Sequence, residues 1–156
     1  CLSAVREDAP ALLRGDDRRK SETVARASVL FEEFLTTRAA TLAFASGPRT
    51  ILLHGHCHQK SMGLLAPAKT LLSRIPGATV VDIDAGCCGM AGSFGYAKDH
   101  YEVSRAIGER KLFPAVRRKG ADAVVVAAGT SCRHQIHDFT GENAVHPAVL
   151  LRGLLR

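Results

Sequence analysis

The 156-residue sequence has no tryptophan, two tyrosines and six phenylalanines. Nucleic-acid platforms interleave basic side chains with aromatic ones, and that pattern is missing. A formal charge of +6 would otherwise suggest a polyanionic partner. The basic residues instead stand in short or mixed clusters, such as Arg18-Arg19-Lys20 beside Asp16 and Asp17, or Arg117-Arg118-Lys119. These read as solvated helix faces, and a nucleic-acid partner is not expected. No apolar run approaches the ~20 residues of a transmembrane segment. The opening stretch CLSAVREDAP lacks the basic and apolar regions of a secretion signal, and there is no initiator methionine. The expectation is a piece of a longer, cytoplasmic protein, with any membrane association supplied by partners. No GxGxxG dinucleotide fingerprint, internal repeat or low-complexity tract occurs.

Cysteines are few and odd in number: Cys1, Cys57, Cys87, Cys88 and Cys132. A small secreted scaffold would carry an even set in a shorter, loop-rich chain. Here hydrophobic residues make up 46% and charged residues 23%, enough for a core that folds without staples. Reduced thiols that hold a metal or a cluster are the natural alternative.

Leu2 to Leu13 reads as a short helix near Pro10, and Gly15 to Lys20 as a charged loop. A long helix is predicted from Ser21 through Phe44, with Val24, Ala27, Leu30, Phe31, Phe34 and Leu35 on one face. After Ser46-Gly47-Pro48 the pattern becomes strand, helix, strand, helix, strand, helix. The predicted strands are Thr50 to Gly55, Ala78 to Asp84 and Ala121 to Gly129, the last buried on both faces. The predicted helices are Gln59 to Ile75, Asp99 to Lys119, a short one over Ser131 to Phe139, and a last one opened by His146-Pro147. This alternation predicts an α/β, three-layer Rossmann-like domain with a mostly parallel sheet flanked by helices. Residues 1–46 are expected to be a helical tail of an upstream unit, and 47–156 the α/β domain.

Each predicted strand runs into a cluster containing cysteine: His56-Cys57-His58, Cys87-Cys88-Gly89 and Ser131-Cys132-Arg133. Ligands of open parallel sheets bind at the carboxyl ends of the strands. Three strand ends can therefore deliver four thiols to one edge. Four thiolates crowd negative charge that requires a cation. An iron–sulfur cluster takes four cysteines, and a structural zinc takes four cysteines or three and a histidine. A vicinal Cys87–Cys88 disulfide is a further, strained alternative. Gly86, Gly89 and Gly92 allow unusual backbone angles, close approach to a cofactor and amide donors toward sulfur.

His54, His56 and His58 are candidate ligands or proton carriers. His134 and His137 stand at metal-capable spacing, although exposure is the commoner reason for such a pair. Lys60 and Arg133 follow ligand cysteines and are candidates for balancing thiolate charge or holding an anion.

The stretches HGHCHQK, DAGCCGMAGSFGY and GTSCRHQI resemble the cysteine-rich CCG domain of the heterodisulfide reductase B and glycolate oxidase iron–sulfur subunits. Their wording is closest to the C-terminal part of fused FAD-linked oxidases of the D-2-hydroxyglutarate dehydrogenase type. The resemblance covers Thr50 to the C-terminus, and Cys1-Leu2 looks like the end of a preceding CCG unit. It implies a 4Fe–4S-type cluster on Cys57, Cys87, Cys88 and Cys132, with Cys1, His54, His56 and His58 as further candidates. It also implies upstream FAD and iron–sulfur domains, an electron-acceptor partner, and no dehydrogenase activity in this fragment alone. The alternative is a zinc-binding or metal-free docking domain of the same enzyme. Gly129 stands where the fullest form of the pattern has the first cysteine of a CxxC pair, which leaves four thiols rather than five.

Overall fold

The computed structural model describes residues 2–39 and 41–156, so Cys1 lies outside the described residues. The chain divides into two compact units, Cys1–Ala40 and Thr41–Arg156.

The first unit is helical. A π-helical turn, Ala4–Asp8, leads into α1 (Ala9–Leu12), followed by α2 (Gly15–Ala27) and α3 (Phe31–Arg38). The stretch expected as a charged loop is the first half of α2. Asp16 and Asp17 lie in its first turn, where the helix dipole favours negative charge. Arg19 pairs with Asp16, Lys20 with Asp17 and Arg18 with Glu22, all at helical spacing. The long helix expected from Ser21 onward is interrupted at Ser28–Leu30. Ser28 is extended, and the helix restarts where Leu30 N–H donates to Glu33 Oε2 at 2.7 Å. This is one half of a capping box, with the carboxylate satisfying a donor that the helix leaves free.

The second unit is the α/β body. Its strands are β1 (Thr50–His54), β2 (Thr79–Asp82) and β3 (Ala123–Ala127). Among the described residues they form one parallel sheet in the order β2-β1-β3. Thr50 is in register with Thr79 and Ala123, and His54 with Ala127. The crossovers carry α4 (Cys57–Ser61) and α5 (Leu65–Leu72), then α6 (Tyr101–Glu109) and α7 (Leu112–Arg117). After β3 come α8 (Thr130–Thr140) and α9 (Pro147–Leu154).

Each of the two long helices expected in the crossovers is split, for identifiable reasons. Gly63, at φ +70°, separates α4 from α5. Pro114 cannot donate to a helical ladder, so the chain breaks at Lys111 and places the proline in the first turn of α7.

Residues alternate across β1. Leu52 packs into a cluster with Val125, Ala127, Leu112, Phe113, Val116 and Ile136, the layer beneath α7 and α8. Ile51, Leu53 and Val126 point the other way and are also buried. On the α5 side, that helix contacts β2 and α9 and buries Ala68, Leu71 and Leu72. The arrangement is the flanked parallel sheet that the alternation predicts.

Candidate metal centre

β1 ends at His54, and the next turn caps α4 with His56 and starts the helix at Cys57. β3 ends at Ala127, Gly129 caps α8, and Cys132 lies in the helix's first turn. β2 runs into the loop that carries Cys87 and Cys88. Parallel strands put all three turns at the same edge of the sheet.

The loop reverses direction through successive left-handed residues: Asp84 (φ 48°), Gly86 (71°), Gly89 (100°), Ala91 (41°) and Gly92 (74°). The bends at Gly86 and Gly89 flank the vicinal cysteines, which on a regular strand would face opposite sides. Gly89 is also needed for close approach. A Cβ there would collide with the Ser104 carbonyl oxygen and lie 3.1 Å from Ser104 Cα. Its N–H donates to Cys87 Sγ at 3.3 Å.

The centre has a sealed half and an open half. Cys88 and Cys132 are buried, as is His54, which is 1% exposed. The ligand atoms of these three residues lie within 4.8 Å of one another. Cys57 is exposed and Cys87 half-buried, and both thiols are free. Cys88 is pulled down to about 4, first by a hydrogen bond from Cys132 and against the effect of burial, with His54 and the Met90 backbone adding to the shift. Cys132 is pushed up by that same hydrogen bond, by burial and by the charge on Cys88. Cys57 is raised by burial and then by the charge of Cys87. The close group among the described residues is His54, Cys88 and Cys132, and Cys57 and Cys87 lie outside it.

Neither Nδ1 nor Nε2 of His54 makes a hydrogen bond. An unmatched buried donor or acceptor costs about 1–3 kcal/mol. The donor set of one imidazole and two sulfurs suits a borderline or soft metal, so the residues present fit a zinc ion or an iron–sulfur centre.

His56 is half-buried, and burial lowers its pKa, favouring the neutral ring. His58 is exposed, as are His134 and His137. Lys60 Nζ pairs with Asp84 Oδ1 at 3.4 Å, and Lys111 holds the other oxygen at 3.6 Å. Arg133 donates from Nη1 to the carbonyls of Ala127 (3.0 Å) and Ala128 (2.8 Å), tying the end of β3 to the first turn of α8. Gly86 and Gly92 have open space where a Cβ would sit.

Two residues that sequence reasoning missed hold the loop. Gln135, 1% exposed, donates from Nε2 to Cys88 O (3.3 Å), Ser104 O (3.3 Å) and Ser104 Oγ (2.6 Å). The available signal was Gln135 three residues after Cys132, one helical turn along α8. Nothing in the sequence marks Ser104.

Residues 51–137 match the CCG family, described as a cysteine-rich domain. The chain belongs to the CCG family. This CCG domain is 33% identical over 151 residues to a subunit of the anaerobic glycerol-3-phosphate dehydrogenase of Escherichia coli (strain K12), a match spanning 97% of the chain and 37% of the relative. It is 32% identical over 104 residues to D-2-hydroxyglutarate dehydrogenase of the same strain, spanning 65% of the chain and 10% of the relative. The Pseudomonas putida D-2-hydroxyglutarate dehydrogenase is 31% identical over 107 residues, again 65% of the chain and 10% of the relative. The chain therefore spans about a third or less of the curated relatives it matches. No solved structure matches it. Among the described residues, no helix is long and apolar enough to cross a membrane.

Proposed function

We propose that this CCG domain is an iron–sulfur electron-transfer module of an FAD-linked 2-hydroxy acid dehydrogenase or oxidase, with Cys57, Cys87, Cys88 and Cys132 as ligands of a 4Fe–4S-type cluster. The observation that carries the reading is the arrival of four free thiols from three parallel strand ends at one sheet edge, with Cys88 and Cys132 close beside His54. A bound cluster would supply one-electron transfer. The chain's own residues hold the sulfurs, keep water from Cys88 and Cys132, and donate an amide to Cys87 from Gly89. Gly86 and Gly92 serve the same loop by permitting its reversal. Lys60 pairs with Asp84 on the cysteine loop and Arg133 bonds the carbonyls at the end of β3, so each steadies a turn of the site. FAD and the electron acceptor belong to partner domains, a reading supported by relatives that are dehydrogenases or dehydrogenase subunits.

A match over nearly the whole chain favours a second reading of the partner. A glycerol-3-phosphate dehydrogenase subunit aligns with 97% of the chain, so the module's electron donor is then a glycerol-3-phosphate dehydrogenase rather than a 2-hydroxy acid enzyme.

The test is anaerobic purification with iron, sulfide and zinc assays and visible absorption. Iron and acid-labile sulfide with a chromophore bleached by dithionite support the reading, and Cys87→Ser abolishes that chromophore. Stoichiometric zinc without iron overturns it in favour of a structural docking domain.

A further inference from the structure

We infer that His54 is a direct ligand of the centre, which makes it a mixed imidazole–thiolate site rather than an all-thiolate one. The inference rests on the reading that the strand-end thiols hold a metal, and it assigns a nitrogen donor to that site.

His54 is carried by the last residue position of β1, in register with Ala127. Alternation puts its side chain on the Leu52 face, in the layer that contains Cys88 and Cys132. A histidine in a packed core ordinarily gives its N–H to a carbonyl and accepts at the other nitrogen. His54 does neither, although it is 1% exposed. Its ligand-capable nitrogen and the sulfurs of Cys88 and Cys132 lie within 4.8 Å of one another. Donors sharing one tetrahedral ion at about 2.0–2.3 Å sit roughly 3.3–3.8 Å apart, so a contraction of at most roughly 1–1.5 Å closes these three donors around one metal ion. A metal ion would satisfy one nitrogen of His54 and leave the other as a single N–H.

The neighbouring histidines lack this combination. His58 is exposed, and His56 is half-buried over Gly129, where a Cβ would strike its ring.

A neutral imidazole contributes a donor to the coordination sphere without the negative charge that a further thiolate would bring. Histidine ligation raises the potential of an iron–sulfur centre relative to cysteine ligation.

The experiment uses the 156-residue chain, purified anaerobically and either reconstituted with iron and sulfide or loaded with Co²⁺. Pulsed EPR of the reduced iron form is expected to show a strongly coupled ¹⁴N nucleus. That coupling persists in His56→Ala and His58→Ala and disappears in His54→Ala. His54→Cys, which retains a donor at the position, is expected to keep the metal, lose the nitrogen coupling and lower the midpoint potential. Apparent Co²⁺ affinity is expected to fall at least about tenfold in His54→Ala, the order seen when groups supporting a metal site are removed. Far-UV circular dichroism of each variant establishes that it is folded. An iron-loaded wild type without ¹⁴N coupling, or a coupling that survives His54→Cys, overturns the inference while leaving the four-thiol reading intact. A wild type that takes up neither iron nor Co²⁺ overturns both.

Discussion

Gln135 holds Cys88 by its backbone, with Nε2 donating to the Cys88 carbonyl at 3.3 Å and to Ser104 Oγ at 2.6 Å. One buried amide thus ties α8, α6 and the vicinal-cysteine loop together. Gln135→Leu preserves volume approximately but strands the carbonyl of Cys88 and removes the amide from the Ser104 hydroxyl. The expected cost is about 1–3 kcal/mol, read as a lower denaturant midpoint at unchanged slope. Metal affinity should fall about 10–100-fold in a competition titration. An unchanged midpoint would show that water replaces the amide.

Gly89 and Gly92 separate conformational strain from collision. Both have positive φ, but only a Cβ at 89 meets the Ser104 backbone. Gly92→Ala is expected to cost about 1–2 kcal/mol for the left-handed angle alone. Gly89→Ala should cost clearly more and also lose metal, because the loop must lift from α6. Equal melting temperatures for the two variants would contradict this close approach.

A fifth thiol at position 129 is blocked by a named side chain. A Cβ on Gly129 runs into the His56 ring and comes within 2.8 Å of Cys132 Sγ. Gly129→Cys alone is expected to destabilise the metal-free protein by about 1–3 kcal/mol through overpacking. Adding His56→Ala should recover much of that loss, giving a positive coupling in a double-mutant cycle. Additive single effects would mean that the ring moves aside freely.

Asp84 reports on the basic residues around the loop. The hydrogen bond from Lys60, and then the charges of Lys111 and Lys60, hold its carboxyl below the ordinary value of 3.8. Because the folded pKa is depressed, the associated stability is fully present above 3.8 and disappears as pH falls through the lower folded value. An NMR titration of Asp84 should show a midpoint below 3.8 that returns toward it in Lys60→Met/Lys111→Met and at high salt. A midpoint insensitive to both would mean that these exposed pairs are screened in solution.

Much of this protein was determined by local pattern in the sequence. Apolar runs bounded by glycine and proline marked the three strands, and their alternation with helical stretches implied the parallel sheet, since parallel strands need crossovers. The placement of cysteine after each strand pointed to one edge of the sheet, because strand ends of a parallel sheet share an edge. Periodicity did not mark the helix breaks at Ser28–Leu30, Gly63 and Lys111. They depend on one capping carboxylate, one left-handed glycine and one proline position, each a single-residue effect within an otherwise helical pattern.

The inner composition of the site was decided only by tertiary structure. The sequence presents three histidines within five residues as equivalent candidates. Folding buries His54 on the inward face of β1, leaves His56 half-buried at a helix cap and leaves His58 exposed. Which thiols are sealed, and that Gln135 and Ser104 brace them, follows from how α6 and α8 pack over the loop. Those contacts join residues 31 to 47 positions apart, and no local pattern encodes which distant atom will fill a given gap. Chain chemistry chose the edge of the sheet. Packing chose which donors at that edge lose their water, and a donor without water is the one that gains most from a metal.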